Sequence, residues 1–407
     1  MTFEDAVNFL ESLAGFGIRP GLQRITKLLQ LFGNPQNKYK TIHVTGTNGK
    51  GSVCAMLSQI LKTADIKVGL FTSPHLVTYR ERIRINNEDI SEGDFATLVD
   101  EIRSAITEML KDGNESPTLF ETLTAMAFKY FADQKVEYSV IEVGLGGLLD
   151  STNVITPEVS IITNVANDHA ERCGGDLLGI ARYKAGIIKQ NVPVVTGAES
   201  EPLKIIRDTA QKNHSKIFVL GEDFFVDESV ELSLKGEYQK LNAAIAIKSA
   251  QVLNDSRVTD SLINEAIKST HWAGRFEILN IKGKTIIIDG AHNGAGAEAL
   301  RNSLDKNFPT GRRAFLFGVL RDKDIDTIIE NLFRAGDFVV VTKPDSERAA
   351  EPESICQRLK TKGINSIAIK DNDEALKIFL DRNEEVLVTA GSLYLIGNIR
   401  KLLKKIK

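Results

Sequence analysis

Thr45-Gly46-Thr47-Asn48-Gly49-Lys50-Gly51-Ser52 follows the apolar, β-branched stretch Thr41-Ile42-His43-Val44 and precedes a run with apolar residues at 53, 56, 57, 60 and 61. Strand, glycine-rich turn and helix is the layout of a phosphate cradle. Glycines let backbone N–H groups converge on oxygen atoms, and the helix start adds the positive end of its dipole. In that layout Thr47, Asn48, Gly49 and Gly51 build the turn. Lys50 brings a point charge to the outer phosphates and Ser52 a hydroxyl for Mg²⁺. The strict P-loop pattern is not met, because Val44 stands at its first glycine and Gly51 separates Lys50 from Ser52. The competing reading is a glycine-rich turn before an ordinary helix. The strand and helix stand where a cradle needs them, which favours the phosphate reading.

The bulk properties frame this motif. A chain of 407 residues exceeds one compact core and suits two domains. Hydrophobic residues make up 42% and charged residues 26%, the composition of an ordinary globular protein. A net charge of −3 gives no reason to expect nucleic acid or an anionic membrane as partner. The basic tail from Arg400 is short and reads as a solvated helix end. Cys54, Cys173 and Cys356 lie far apart without metal spacing, which fits a reducing cytoplasm. The acidic start Met1-Thr2-Phe3-Glu4-Asp5 lacks the features of a signal peptide, and no apolar run is long enough to span a bilayer.

The periodicities beyond the loop predict an α/β architecture. Helical spacing appears over residues 4–15, 21–32, 91–111 and 118–133. Short apolar strands are expected at 67–71, 138–143 and 159–163, and their exits carry Ser73, Glu142 and Asp168-His169. In the second half strands are expected at 285–289, 314–318, 338–341 and 386–389, with helices near 295–307, 325–334, 352–361 and 373–380. Alternation of this kind argues for parallel, doubly wound sheets, whose ligands sit at the carboxyl ends of the strands.

Several residues at those exits carry chemistry. Glu142 ends an apolar strand, where a carboxylate beside a phosphate loop suits Mg²⁺. Capping or a surface position is the plain alternative. His169 can ligate a metal, bind an acyl group or hydrogen-bond in the core; the parallel position of Glu142 favours a ligand. Ser73 precedes a proline that fixes its turn, and its hydroxyl can cap the next segment or join the metal shell. The basic stretch 79–84 suits either a carboxylated substrate or solvent. Lys184 reads from its spacing as structural. Arg275, Asp289 and His292 can close over a nucleotide or merely make turns.

Assembled, these stretches resemble the folylpolyglutamate synthase/dihydrofolate synthase family, relatives of the Mur ligases. The carrying motifs are HVTGTNGKGS (43–52), SPHL (73–76), RERIRI (80–85), FE (120–121), IEVGLGGLLDSTN (141–153), NDH (167–169), KAGI (184–187), GRFE (274–277), DGAHN (289–293) and AGSLYL (390–395). The resemblance implies a P-loop, doubly wound N-terminal domain over residues 1–272 and a smaller Rossmann-like C-terminal domain over 273–407. It implies ATP and Mg²⁺ as cofactors, and folate or dihydropteroate and L-glutamate as substrates. The substrate carboxylate takes the γ-phosphoryl group, and the glutamate amine attacks the acyl phosphate. By resemblance Ser52, Ser73, Glu142 and His169 surround the metals, and Lys184 is the lysine that becomes a carbamate near the second metal. Arg275 and Asp289 bind ATP from the second domain, with Asn242 near the adenine. Arg82, Phe120 and Asp150 lie where the family binds folate or dihydropteroate, and His292 and Ser392 where it closes over glutamate. A cytoplasmic monomer is expected. The chain departs from the family at Leu148, where an arginine is usual, at Tyr183, where a glutamate is usual, at Tyr238, where a histidine is usual, and at Gly294, where a proline is usual. The other readings are extension of folates alone, a Mur-type ligase for another carboxylate, and a nucleotide-binding protein without ligation.

Overall fold

The computed structural model describes residues 1–168, 170–281 and 283–406. The chain divides into two compact units. The first comprises Met1–Pro74, Thr78–Glu231 and Leu241–Thr270. The second takes His75–Val77, Leu232–Lys240 and the chain from His271 onward.

The first unit holds β1 (Lys40–Thr45), β2 (Val68–Phe71), β3 (Ile83–Ile85), β4 (Glu88–Asp89), β5 (Tyr138–Glu142), β6 (Val159–Ile162), β7 (Val194–Thr196) and β8 (Ile217–Val219). They form one sheet in the order β4-β3-β2-β5-β1-β6-β7-β8. Pairing is parallel from β2 to β8, while β2–β3 and β3–β4 are antiparallel. β1 thus sits between β5 and β6, at the point where the winding changes direction. All of β1 but Lys40 is buried, as expected of a central strand covered on both faces. The loop after it opens the helix Lys50–Thr63, which is buried along most of its length.

Two helices show why the sequence expectations hold locally. Ser91 Oγ accepts from Asp94 N at 3.0 Å and starts the helix Glu92–Lys111. Thr118 and Glu121 form a reciprocal capping box at the start of Leu119–Asp133, which sets the position of Phe120. One expectation needs correction. The first helix stops at Ser12, and Leu13–Phe16 continues as a tighter 3₁₀ turn. The basic stretch 79–84, for which no element was expected, is a 3₁₀ turn, Tyr79–Arg82, running into β3 beside the edge strand β4. Two of its arginines serve that edge: Arg80 Nε donates to Ile90 O at 2.6 Å and Arg84 Nε to Asp89 Oδ1 at 2.6 Å.

The second unit carries β9 (Glu277–Ile281), β10 (Lys284–Ile288), β11 (Arg313–Phe317), β12 (Phe338–Val341), β13 (Asn365–Ala368) and β14 (Val386–Ala390). The order is β13-β12-β11-β14-β10-β9, parallel except for the β9–β10 edge. β14 therefore separates β10 from β11, and the loops after β10 and β14 are neighbours. The basic tail belongs to the helix Leu393–Ile406. No helix among the described residues is long and apolar enough to cross a membrane.

Candidate active site

The phosphate loop is pinned to the segment that follows β6. Thr47 N donates to Asn164 O at 3.1 Å, and Asn48 N to Asn164 Oδ1 at 2.9 Å. Thr47 Oγ1 donates to Ala166 O at 3.1 Å and accepts from Ala166 N at 3.0 Å. Thr163 Oγ1 donates to Asn48 O at 2.6 Å. Two glycines make this packing possible. A Cβ on Gly46, at φ +155°, would lie 1.8 Å from Thr163 Oγ1. A Cβ on Gly49, at φ +83°, would lie 2.3 Å from Asn242 Oδ1. Gly49 also caps the helix Lys50–Thr63, so the positive end of the helix dipole lies at the loop. Lys50 Nζ donates to Gly46 O at 3.0 Å and Thr47 O at 3.2 Å, which holds its charge over the cradle. Asn242 is buried beside Gly49, at the phosphate loop itself.

β5 and β1 are parallel neighbours, with Val44 opposite Glu142. The Glu142 carboxylate therefore emerges next to the phosphate loop. It is buried, and its Oε2 accepts from Ser73 N at 3.0 Å, so the exits of β2 and β5 are joined. His169 lies outside the described residues. Among the described residues no three His, Cys, Asp or Glu side chains gather as a metal cage. Mg²⁺ needs no such cage, because it is typically held by one or two carboxylates, hydroxyls, waters and substrate phosphates. Buried Glu142, the Ser52 hydroxyl at the helix start and the Ser73 hydroxyl are hard oxygen donors of that kind. The donor set fits Mg²⁺.

Lys184, on the helix Leu177–Ala185, is almost wholly buried. Burial, reinforced by the like charge of Lys50, lowers its ammonium from the usual 10.5 to about 7. A lysine in that state is a nucleophilic amine at neutral pH. The loop after β5 packs on this helix. Leu148 N donates to Tyr183 O at 2.8 Å, and the Leu148 side chain lies against Gly186 while remaining 43% exposed.

The same loop forms the face where substrate was expected. The Phe120 ring packs on the Cα of Gly144, where a Cβ would meet it at 2.4 Å. Arg82 stands over the Tyr79 ring, 5.5 Å from its centroid. Asp150 is buried and already engaged: Oδ2 accepts from Leu145 N at 2.8 Å, and Oδ1 accepts from Thr152 N at 3.0 Å and Thr152 Oγ1 at 2.6 Å. Burial pushes its pKa above the usual carboxylate value, and these bonds oppose the rise. The carboxylate organises the Gly144–Gly147 turn rather than projecting as a free group.

In the second unit Asp289 is the organiser. Its Oδ2 accepts from Tyr238 Oη at 2.6 Å and Phe276 N at 2.7 Å, and its Oδ1 from Ala291 N at 2.8 Å. The Arg275 guanidinium lies against Gly290. His292 Nδ1 meets Gly290 O at 2.7 Å; a carbonyl only accepts, so Nδ1 carries the proton. Gly391 N donates to Ala291 O at 2.9 Å and Asp289 N to Thr389 O at 3.0 Å. These bonds hold the neighbouring loops after β10 and β14, which carry Asp289, His292 and buried Ser392, against each other. The cradle partners Thr163, Asn164 and Ala166, and the bond from Tyr238, went unread in the sequence. No local spacing signals pairs so far apart along the chain.

A phosphate loop at the winding change of one parallel sheet, a strand-end carboxylate beside it and a second α/β unit define an ATP-dependent amide ligase of the Mur type. The Mur ligase middle domain matches residues 44–282, and the Mur ligase glutamate ligase domain matches residues 274–393. The dihydrofolate synthase/folylpolyglutamate synthase of Bacillus subtilis (strain 168) is 33% identical over 430 residues, covering 99% of each chain. The solved folylpolyglutamate synthase of Thermotoga maritima is 37% identical, with a TM-score of 0.86 over 100% of this chain and 97% of that one. That of Mycobacterium tuberculosis, complexed with ADP and AMPPCP, is 30% identical, with a TM-score of 0.90 over 98% of both chains. The chain belongs to the folylpolyglutamate synthase/dihydrofolate synthase family of the Mur ligases.

Proposed function

We propose that this enzyme joins L-glutamate to pteroyl substrates, both by extending folates and by converting dihydropteroate to dihydrofolate. One observation carries the reading: a cradle held by Lys50 and the start of its helix stands beside Glu142 on the adjoining strand.

Each residue then has a task. Thr47 and Asn48 fix the shape of the cradle through Asn164, Gly49 and Gly51 present backbone N–H groups to the phosphates, and Lys50 offsets charge as the γ-phosphoryl group moves. Ser52, Ser73 and Glu142 would hold Mg²⁺, with His169 assigned as a further ligand by the family resemblance; the ion would supply positive charge beside the phosphate oxygens. Phe120, Arg82 and the loop ordered by Asp150 seat the pteroyl group. The substrate carboxylate attacks the γ-phosphorus, the bond to the ADP oxygen breaks, and an acyl phosphate forms. The glutamate amine attacks its carbonyl and phosphate leaves, which closes the amide. Holding the reacting groups in place supplies most of what such a transfer needs. Lys184, amine-like at neutral pH, would add to CO₂ and release a proton to give a carbamate, whose oxygens would suit a second metal ion.

Residues 1–272 are assigned the nucleotide and pteroyl work, with Asn242 serving the nucleotide, and residues 273–407 the glutamate. There Arg275 and Asp289 serve ATP, while His292 and Ser392 receive glutamate. The enzyme acts as a monomer in the cytoplasm, without nucleic acid or membrane partners.

The test is ADP release by the purified enzyme. It should require Mg²⁺, a pteroyl compound and glutamate together. Equal ADP release without any pteroyl compound overturns the reading.

A further inference from the structure

The strand that feeds the phosphate loop is tied to the loop after Glu142 by two buried links. Thr45 Oγ1 donates to Gly146 O at 2.7 Å. Two residues earlier on β1, His43 Nε2 meets Thr152 Oγ1 at 2.9 Å, and Thr152 Oγ1 donates to Asp150 Oδ1 at 2.6 Å. Asp150 Oδ2 then holds Leu145 N. His43, Thr45 and Thr152 are wholly buried.

Proton counting fixes the state of this chain. The Thr152 hydroxyl has one hydrogen, and it goes to the carboxylate. Its lone pair must then receive a hydrogen from His43, so the imidazole is protonated on Nε2. Nδ1 is buried with no hydrogen-bond partner among the described residues. An orphaned buried acceptor costs stability. Hydrophobic packing alone would be better served by an apolar side chain at residue 43.

We propose that His43 and Thr152 are positioning residues that hold the pteroyl-binding loop, residues 144–150, at a fixed distance from the phosphate loop. This rests on the pteroyl ligase reading above. Neither residue touches a reactant. They act through Asp150 and Leu145, on a loop whose Gly144 carries the Phe120 ring.

Thr152→Val removes the hydroxyl, and Thr152→Ser keeps it. Thr152→Val should raise KM for dihydropteroate about tenfold, the effect of one lost bond to a charged group. KM for ATP should stay within about twofold, and Thr152→Ser should match the wild type on both. A merely structural role would lower the melting temperature and the active fraction while leaving both KM values unchanged, and that result overturns the proposal. His43→Gln, which keeps a donor, against His43→Met, which does not, repeats the comparison should Thr152→Val fail to fold. Amide exchange over residues 144–150 of the ligand-free protein reads the tether without turnover. It should quicken in Thr152→Val and His43→Met alone, and unchanged exchange overturns the proposal. A wild type that makes no ADP from glutamate with either dihydropteroate or tetrahydrofolate sinks the ligase reading instead, with the exchange result still standing.

Discussion

The backbone N–H of Ser73 donates to Glu142 Oε2 at 3.0 Å, joining the exits of two strands whose residues lie 69 apart in sequence. The bond orients a buried carboxylate next to the phosphate loop. Glu142→Gln keeps the size and still accepts from Ser73 N, but it removes the charge that suits Mg²⁺. Turnover should fall by about a hundredfold or more. Thermal unfolding should change little. Full activity at ordinary Mg²⁺ would remove Glu142 from the metal site.

Gly46→Ala should damage the cradle. The added methyl would sit 1.8 Å from Thr163 Oγ1, so either the loop or the segment after β6 must move. We expect a loss of about 1–3 kcal/mol in stability, as for other overpacked sites. ADP affinity, measured by titration calorimetry, should weaken as well. Removing the obstructing hydroxyl with Thr163→Ala in the same chain should recover part of both.

Lys184→Ala should cripple turnover, and short carboxylic acids should restore part of it by standing in for a carbamate. The wild type should lose activity when bicarbonate is stripped. Rescue by short amines, and none by acids, would instead assign the lysine a role through its ammonium.

His43 gives acid sensitivity of a defined sign. Burial, with a smaller effect from Lys189, lowers its pKa from 6.5 to about 3 in the folded chain. Between those values the unfolded chain binds a proton that the folded chain refuses. Stability from this group is therefore complete above pH 6.5 and falls as pH drops toward 3. The contribution is at most about 1.4 kcal/mol per pH unit. Denaturant titrations should show a shallower acid decline in His43→Gln than in the wild type. Parallel curves would mean that His43 takes up its proton without unfolding.

Substrate range tests Leu148. Its side chain is partly exposed on the loop that carries Asp150, and it offers no guanidinium for a carboxylate or phosphate. Purified enzyme should convert dihydropteroate, ATP and glutamate to dihydrofolate and should also extend tetrahydrofolate. Extension without the first reaction would limit the enzyme to folates, and Leu148→Arg would be the substitution to test for recovery.

Much of the site was legible because it is local. The cradle needs a strand, a turn and a helix in immediate succession, and the capping box at Thr118–Glu121 spans three residues. Asp150 was legible as a position but not in its action. Its oxygens are occupied by Leu145 and Thr152, which spacing alone cannot reveal. Tyr238 read as a departure from a family pattern, while the structure gives its hydroxyl a definite partner in Asp289. The arginines of 80–84 read equally as a site for a carboxylated substrate or as a solvated face, and the structure adds that two of them bond to the edge strand β4 and the residue after it.

The alternation of strands and helices, the phosphate loop and the polar residues at the strand exits can all be read from the order of residues. Those features follow from backbone propensity and from periodic burial within a few residues. Tertiary structure alone decided that β5 and β6 flank β1 and that β14 lies between β10 and β11. It alone brought Glu142 beside Val44 and set His43 against Thr152, 109 residues away. Parallel strands pair only through long crossovers, so their order is chosen by which faces bury best across the whole unit. No stretch of the chain carries that choice in its own spacing.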